Sequence, residues 1–245
     1  MVATERVALE PGWILHTRSY RETSGLVELL TPGHGRLTLV ARGLKRSRNA
    51  DRALLQPFRP LLVSWGGRGT GLATLYGAEP AGEPVVLGGA ALMSGFYVNE
   101  LLLRFLHKGD PHPLLHETYR QVLAELAGGD GPEAALRRFE LVLLAEVGYG
   151  LVLDHDARTG GGIEPEAHYD YRVEVGPVAQ EAGADPADGY RGAELLAISR
   201  GDLTAPATLA TARRLFRHVI DHHLEGRPLQ TRTVYAALRR QSGPH

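Results

Sequence analysis

The chain has 245 residues, of which 43% are hydrophobic and 22% charged, enough for one large or two modest packed domains and unlike a disordered or fibrous protein. It contains no cysteine, which excludes disulfides and thiolate metal sites and favours a reducing compartment. The formal net charge of −1 hides an asymmetry: residues 1–82 hold 11 Lys and Arg against 6 Asp and Glu, while residues 83–245 hold 16 against 22, a basic unit joined to a mildly acidic one.

Met1 to Pro11 carries Glu5, Arg6 and Glu10 where a signal peptide would need an apolar run. Short apolar-rich runs then predict strands over Trp13 to Ser19 and Leu26 to Thr31. The turn Pro32-Gly33-His34-Gly35 leads into Arg36 to Arg42, which alternates with period two. Leu37, Leu39 and Ala41 share one face, and Arg36, Thr38, Val40 and Arg42 the other. Leu61 to Trp65 predicts a fourth strand, the glycine-rich run Gly66 to Gly71 a turn, and Leu72 to Ala78 a fifth strand. Five short strands in this length suit a small closed barrel, because closure removes exposed edges.

From about residue 85 the hydrophobic period becomes helical. Pro84 to Asn99 is the longest uncharged stretch, but it is broken by glycines and short for a membrane span. Gly88 to Leu106 is apolar nearly all round, as in a buried helix. Pro113 to Ala127 is amphipathic through Leu115, Tyr119, Val122 and Leu126. Pro132 opens a further helix that Gly148 closes, with Leu136, Phe139, Leu143 and Val147 as its apolar stripe. Residues 150–205 are expected to be largely irregular, with a short hairpin around Tyr169 to Val175. Pro206 to Leu224 is again helical, and Thr231 to Gln241 makes a last helix. The expectation is an α+β chain without membrane partner: residues 1–82 form a five-stranded barrel, and residues 83–245 an α-helical domain with an irregular insertion.

The segment Gly43 to Arg52 holds Lys45, Arg46, Arg48 and Arg52 among Gly, Ser and Asn, the composition of a flexible cationic loop. Guanidinium groups match phosphate in bidentate fashion, and Arg36 and Arg42 extend the charge onto the preceding strand. Trp13, Tyr20, Phe58, Trp65 and Tyr76 lie in the same unit. Cations tracking a backbone beside aromatic faces make a binding surface for single-stranded nucleic acid, although large aromatics are more often core. His218 and His222 stand four apart on a helix, the spacing of two imidazoles on one metal. A zinc-protease helix would need Glu after the first His, and Val219 stands there. His112 with His116, and Asp154, His155, Asp156 and His168, are weaker sets of the same kind. The chain has no phosphate-binding loop, nucleophile elbow or paired carboxylates. A metal-dependent enzyme on the His218/His222 face and a protein–protein adaptor are the rival readings.

Several stretches resemble the RecO family. They are Trp13 to Ser24 (WILHTRSYRETS), Gly35 to Gly43 (GRLTLVARG), Leu55 to Leu61 (LQPFRPL), Ser94 to Leu102 (SGFYVNELL), Leu136 to Leu141 (LRRFEL) and Gly148-Tyr149-Gly150. Weaker likenesses follow at Tyr190-Arg191-Gly192 and Gly226 to Leu229. The resemblance implies an N-terminal OB-fold and a helical domain, and a cytoplasmic, nucleoid-associated DNA repair protein that is not an enzyme and needs no cofactor. It further implies binding of single- and double-stranded DNA, annealing of complementary strands, and assistance to RecA loading together with RecR on DNA coated by single-stranded DNA-binding protein. The acidic, apolar-tipped tail of that last partner would need cations beside a greasy pocket, and Arg137 and Arg138 are the residues expected to supply them. Some family members carry a four-cysteine zinc module after Gly-Tyr-Gly. This chain lacks it, and residues 150–170 are not expected to hold structural zinc in its place.

Overall fold

The computed structural model describes residues 4–44, 49–68, 72–129, 131–181, 185 and 189–241. Two compact units divide the chain, residues 1–129 and 130–245.

The first unit is built on β1 (Thr4–Tyr20), β2 (Ser24–Thr31), β3 (Gly35–Ala41), β4 (Pro60–Arg68) and β5 (Ala73–Pro80), with a short helix α1 (Asn49–Leu54) between β3 and β4. The strands close in the order β1-β2-β3-β5-β4. Every pairing is antiparallel except β3 with β5. Closure depends on β1, which pairs β4 along its first half and β2 along its second, Trp13 facing both Pro60 and Leu30. Bulges between Val7 and Glu10 and between Ile14 and His16 bend it, as bulges do where a strand turns a barrel corner. At the first of these Leu9 takes a positive φ of 54°, and its N–H donates to Ser64 Oγ at 3.0 Å. The strand therefore starts well before Trp13, and β4 continues past Trp65 because Thr4 to Val7 supply a partner for Trp65 to Arg68.

Alternation sorts the residues as the period-two pattern requires. Ile14, Val27, Leu29, Leu39, Ala41, Leu61, Val63 and Trp65 form the barrel interior, which Leu55 helps to fill. On the outer face Trp13 meets Tyr119 edge-on, with ring centroids 5.5 Å apart. Tyr119 belongs to α3 (Pro113–Gly128), which follows α2 (Gly89–Phe105). Both helices pack on the barrel, α2 against β1 and α3 against β2. All eight residues of β2 are consequently buried, as expected of a strand covered on both faces. Two polar links fasten this joint. Asn99 Nδ2 donates to Leu15 O at 2.9 Å, and Asn99 Oδ1 accepts from Tyr119 Oη at 2.8 Å. Arg36 donates to Leu103 O and Leu106 O, at the end of α2.

The second unit holds α4 (Pro132–Glu146), α5 (Gly192–Ser199), α6 (Pro206–His223) and α7 (Gln230–Gln241), with a three-stranded sheet of order β7-β6-β8 (Gly176–Ala179, His168–Arg172, Tyr190–Arg191). Phe139, Leu143, Leu195, Leu215, Phe216, Val219 and Ile220 are fully or almost fully buried. Helix α4 ends in a Schellman arrangement: Gly148 takes φ +84°, its N–H reaches Ala145 O, and the Tyr149 N–H reaches Leu144 O at 2.7 Å. Only a residue tolerant of positive φ closes that turn without strain. The described residues of 150–191 carry more regular structure than the largely irregular stretch expected. The expected hairpin exists, but its turn falls at Val173 to Val175, and Tyr190 adds a third strand on Tyr169. Gly192 starts α5, and a Cβ there would lie 2.0 Å from Glu164 O. The approach is that close because Gly192 and Ala193 donate to Ala167 O and Pro165 O.

Candidate nucleic-acid interface

At one end of the barrel the β1–β2 hairpin faces the segment after β3. Thr17, Arg18, Ser19, Ser24 and Gly25 from the hairpin, with Leu44, Arg52, Leu55 and Gln56, line a cleft of about 250 Å³. Arg18, Arg42 and Arg52 are all exposed. Lys45, Arg46 and Arg48, the densest part of the expected cationic loop, lie outside the described residues. Leu44, just before those residues in sequence, and Arg52, in α1 just after them, both line the cleft.

The aromatics divide cleanly. Trp13 and Trp65 are 5% exposed and Phe58 6%, so these three are core, with Phe58 tilted against Phe96 at 5.3 Å. Tyr20 and Tyr76 remain at the surface, and each carries a guanidinium over its ring: Arg21 at 5.1 Å and Arg6 at 5.5 Å. Such stacked cations hold an aromatic face in water at modest cost. Arg18, Arg21 and Arg6 were not singled out from the sequence. They are scattered along β1 and into the turn after it rather than clustered, a weaker signal than a dense run of charge.

Arg36 is placed otherwise than expected. Its Nε donates to Glu28 Oε2 at 3.2 Å, and Glu28 Oε1 accepts from Thr38 Oγ1 at 3.0 Å. With its Nη1 on the carbonyls ending α2, Arg36 is committed inside its own unit. Guanidinium at a helix C-terminus also meets the negative end of the helix dipole.

Arg137 likewise turns inward. Its Nη2 donates to Glu140 Oε1 at 2.7 Å, with side-chain exposures of 9% and 1%. The side chain expected to border an exposed apolar stripe is inside the unit, while Arg138 is exposed on the same helix. A more open cationic groove lies between α6 and α7. Arg217, Arg227, Arg232 and Arg240 surround Leu224, Pro228, Leu229 and Ala236 in a volume of about 500 Å³. Asp221 lines the groove and pairs with Arg217 and Arg232, while Arg227 pairs with Glu225 at 3.2 Å.

The histidine sets sort differently from their spacing. His116 is half-buried, and burial lowers its pKa, outweighing the opposing effect of Glu117 and Glu10. Neighbouring Glu117 is held down to about 2 by hydrogen bonds from Arg120 and Gln121. His155 pairs with Asp154 at 2.9 Å. Asp156 accepts from the backbone N–H groups of Arg158, Thr159 and Ala179. Burial would raise its pKa, but these three donors prevail and hold it below the ordinary value. His218 and His222 are exposed on α6, and among the described residues His222 gathers with Glu174 and His223 rather than with His218.

The family model described as Recombination protein O N terminal matches residues 7–83, and the one described as Recombination protein O C terminal matches residues 88–233. The chain belongs to the RecO family of DNA repair proteins. Its relatives include proteins named DNA repair protein RecO from Methylococcus capsulatus, 49% identical over 94% of this chain and 93% of the relative. That of Nitrosococcus oceani is 47% identical over 96% and 95%, and that of an Azoarcus species 43% over 97% and 99%. The stretches that first suggested RecO are mostly joints of the fold: Leu55 to Leu61 carries buried Phe58, Ser94 to Leu102 carries Asn99, and Leu136 to Leu141 carries Phe139 with the Arg137–Glu140 pair. No helix among the described residues is long and apolar enough to cross a membrane.

Proposed function

We propose that this chain binds single- and double-stranded DNA at the cationic end of its barrel and anneals complementary strands there. With RecR it then assists RecA loading on DNA coated by single-stranded DNA-binding protein. The observation that carries the reading is the cleft lined by Arg18, Leu44 and Arg52, the last two of which stand on either side of Lys45, Arg46 and Arg48 in the sequence. Contacts of this kind go to phosphate, so binding has little sequence preference and falls steeply with salt. Tyr20 and Tyr76, each with a guanidinium over its ring, are the surface aromatics that unstacked bases would meet. Annealing follows if two strands are held loosely on a cationic track, their charge screened while the bases stay free to pair. A protein acting so works on the nucleoid in the cytoplasm and needs neither cofactor nor catalytic residue.

The acidic tail of single-stranded DNA-binding protein would be taken by the helical unit. The α6–α7 groove supports this with four guanidiniums around an apolar floor. Arg138 of α4 is the alternative contact.

The deciding experiment is annealing of complementary strands coated with their binding protein, by wild type and by Arg42→Ala/Lys45→Ala/Arg46→Ala. The variant should anneal poorly, and the log–log salt slope of its single-strand binding should flatten by roughly two, at about 0.7 per phosphate contact. An unchanged slope rules the loop out as a main contact. In a parallel titration Arg217→Ala/Arg240→Ala should weaken tail-peptide binding about tenfold, a partly desolvated carboxylate contact being worth roughly 1.5–3 kcal/mol, and leave bare-DNA binding nearly unchanged. Retained peptide affinity with loss in Arg138→Ala would move the tail to α4.

A further inference from the structure

Three ligating side chains meet where the end of α6 faces the β6–β7 turn. His222 and His223 occupy the last turn of α6, and Glu174 sits in the turn with φ +66°. One donor atom from each lies within 4.8 Å of the other two. We propose that Glu174, His222 and His223 form a binding site for a divalent transition-metal cation of the zinc class.

The geometry needs little adjustment. Zinc binds imidazole nitrogen and carboxylate oxygen at about 2.0–2.2 Å, so donors in a tetrahedral shell stand roughly 3.4 Å apart. The donor atoms already lie within 4.8 Å of one another, and Glu174 and His222 are exposed, so their side chains have room to adjust to that spacing. The third ligand is already held. Tyr149 stacks on His223 with centroids 3.7 Å apart and planes 10° from parallel. Tyr149 is itself fixed by the N–H bond to Leu144 O that ends α4. The ring of His223 is therefore oriented by a neighbour, as a ligand imidazole usually is.

The donor set also selects. Two imidazoles and one carboxylate suit zinc, cobalt, nickel or copper and disfavour magnesium and calcium, which take oxygen shells. A cation at this position faces the carbonyl end of α6, the favourable end of that dipole. Three protein donors leave the fourth position to water. None of the three is cysteine, and none lies in residues 150–170, so this site differs from a thiolate module. Two exposed ligands make it exchangeable: the protein takes up the cation when supplied rather than retaining it through purification. Once bound, the ion ties the β6–β7 hairpin to the end of α6.

The test is calorimetric titration of the untagged full chain with zinc in a non-chelating buffer, with cobalt in parallel. One equivalent should bind, and cobalt should give the intense visible absorption of a four-coordinate ion. Glu174→Gln should weaken binding about tenfold and His223→Gln by about a hundredfold or more, the range over which ligand and supporting-shell changes act. Zinc should raise the melting temperature of wild type and not that of His223→Gln. Wild-type affinity in Glu174→Gln, or cobalt that stays six-coordinate, overturns the site and leaves only an adjacent histidine pair. Should His223→Gln fail to fold, Glu174→Gln, on an exposed turn, decides alone.

Discussion

In the barrel each strand lies between two others, and the interior is a continuous apolar set from Ile14 to Trp65. The described residues of 150–191 include three short strands, and part of what orders them is polar: Asp156 collects three backbone N–H groups, from residues 158, 159 and 179. Arg214 lies over the Tyr190 ring at 4.2 Å and donates to Gly189 O. The barrel has buried polar groups too: Arg36 and Asn99 fasten α2 to it, while Thr38 bonds Glu28 and Thr31 bonds Gly35 O within the sheet. Buried polar groups thus do different work in the two regions: Arg36 and Asn99 join finished elements, and Asp156 pins a turn-rich stretch beside the buried Leu153, Ile163, Tyr169, Tyr171 and Val178.

If the barrel's polar groups are fasteners, removing one should cost a great deal without altering the barrel's own design. Arg36→Ala strips Glu28 of its cation while leaving it buried, and should destabilise the chain by about 3–5 kcal/mol in urea unfolding. Arg36→Met combined with Glu28→Leu should recover most of that loss. A loss below about 1 kcal/mol would mean the pair is solvated and the contrast overstated. Any DNA-binding defect of Arg36→Ala should then track its unfolding.

Asn99→Ala is expected next in size. It leaves Leu15 O and the Tyr119 hydroxyl without their partner in a closed space, at about 2–4 kcal/mol for two orphaned groups. Tyr119→Phe should cost less, about 1–2 kcal/mol, since Asn99 keeps its bond to Leu15 O. Equal losses in the two variants would show that the network acts only as a unit.

Asp156→Asn should act locally, accelerating amide exchange at Arg158, Thr159 and Ala179 while the barrel amides stay protected. The sign with pH is definite. A carboxyl held below its ordinary value near 3.8 contributes its stability above that value and loses it as pH falls through the lower folded value. Residues 156–179 should loosen in acid, and the variant should lack that part of the acid response. Uniform exchange across the whole chain would erase the regional distinction.

The smallest effect belongs to His116. Burial lowers its pKa below 6.5, so the unfolded chain binds the proton more readily. The stabilisation is complete above pH 6.5 and declines as pH falls toward the folded value, levelling off below it. With other contacts shared, wild type should therefore lose melting temperature relative to His116→Leu as pH falls below 6.5, while the difference between the two stays constant above it. A parallel pH dependence would remove His116 from the account.

Most elements were legible in the sequence because their signals are local. The alternation of Arg36 to Arg42 marks a strand wherever it sits, and Pro132 and Gly148 bracket α4 by backbone chemistry alone. What was missed depended on partners. The first residues of β1 have no strong pattern and become strand because β4 runs past Trp65 to meet them. Helix α5 is short, and its start is set by the contact of Gly192 with the chain at Glu164. Within the candidate interface the cationic cluster was visible as density. Its outliers, Arg18 and the Arg6–Tyr76 pair, become visible only when β1 bends round the barrel.

The sequence by itself determined the kind of protein: a basic five-strand unit, a helical remainder, a cation-rich segment after the third strand, and a set of stretches specific enough to mark RecO. Periodicity, turn chemistry and charge density are properties of neighbouring residues, so no partner is needed to read them. The tertiary structure alone decided which side chains face water. It turned Arg36 onto Glu28 and Arg137 onto Glu140, buried three of five aromatics, and brought Glu174 to His222 and His223. Burial of a charge depends on what lies opposite, and what lies opposite comes from distant chain. An arginine in a cationic run and an arginine fastening a helix therefore look alike until the chain is folded.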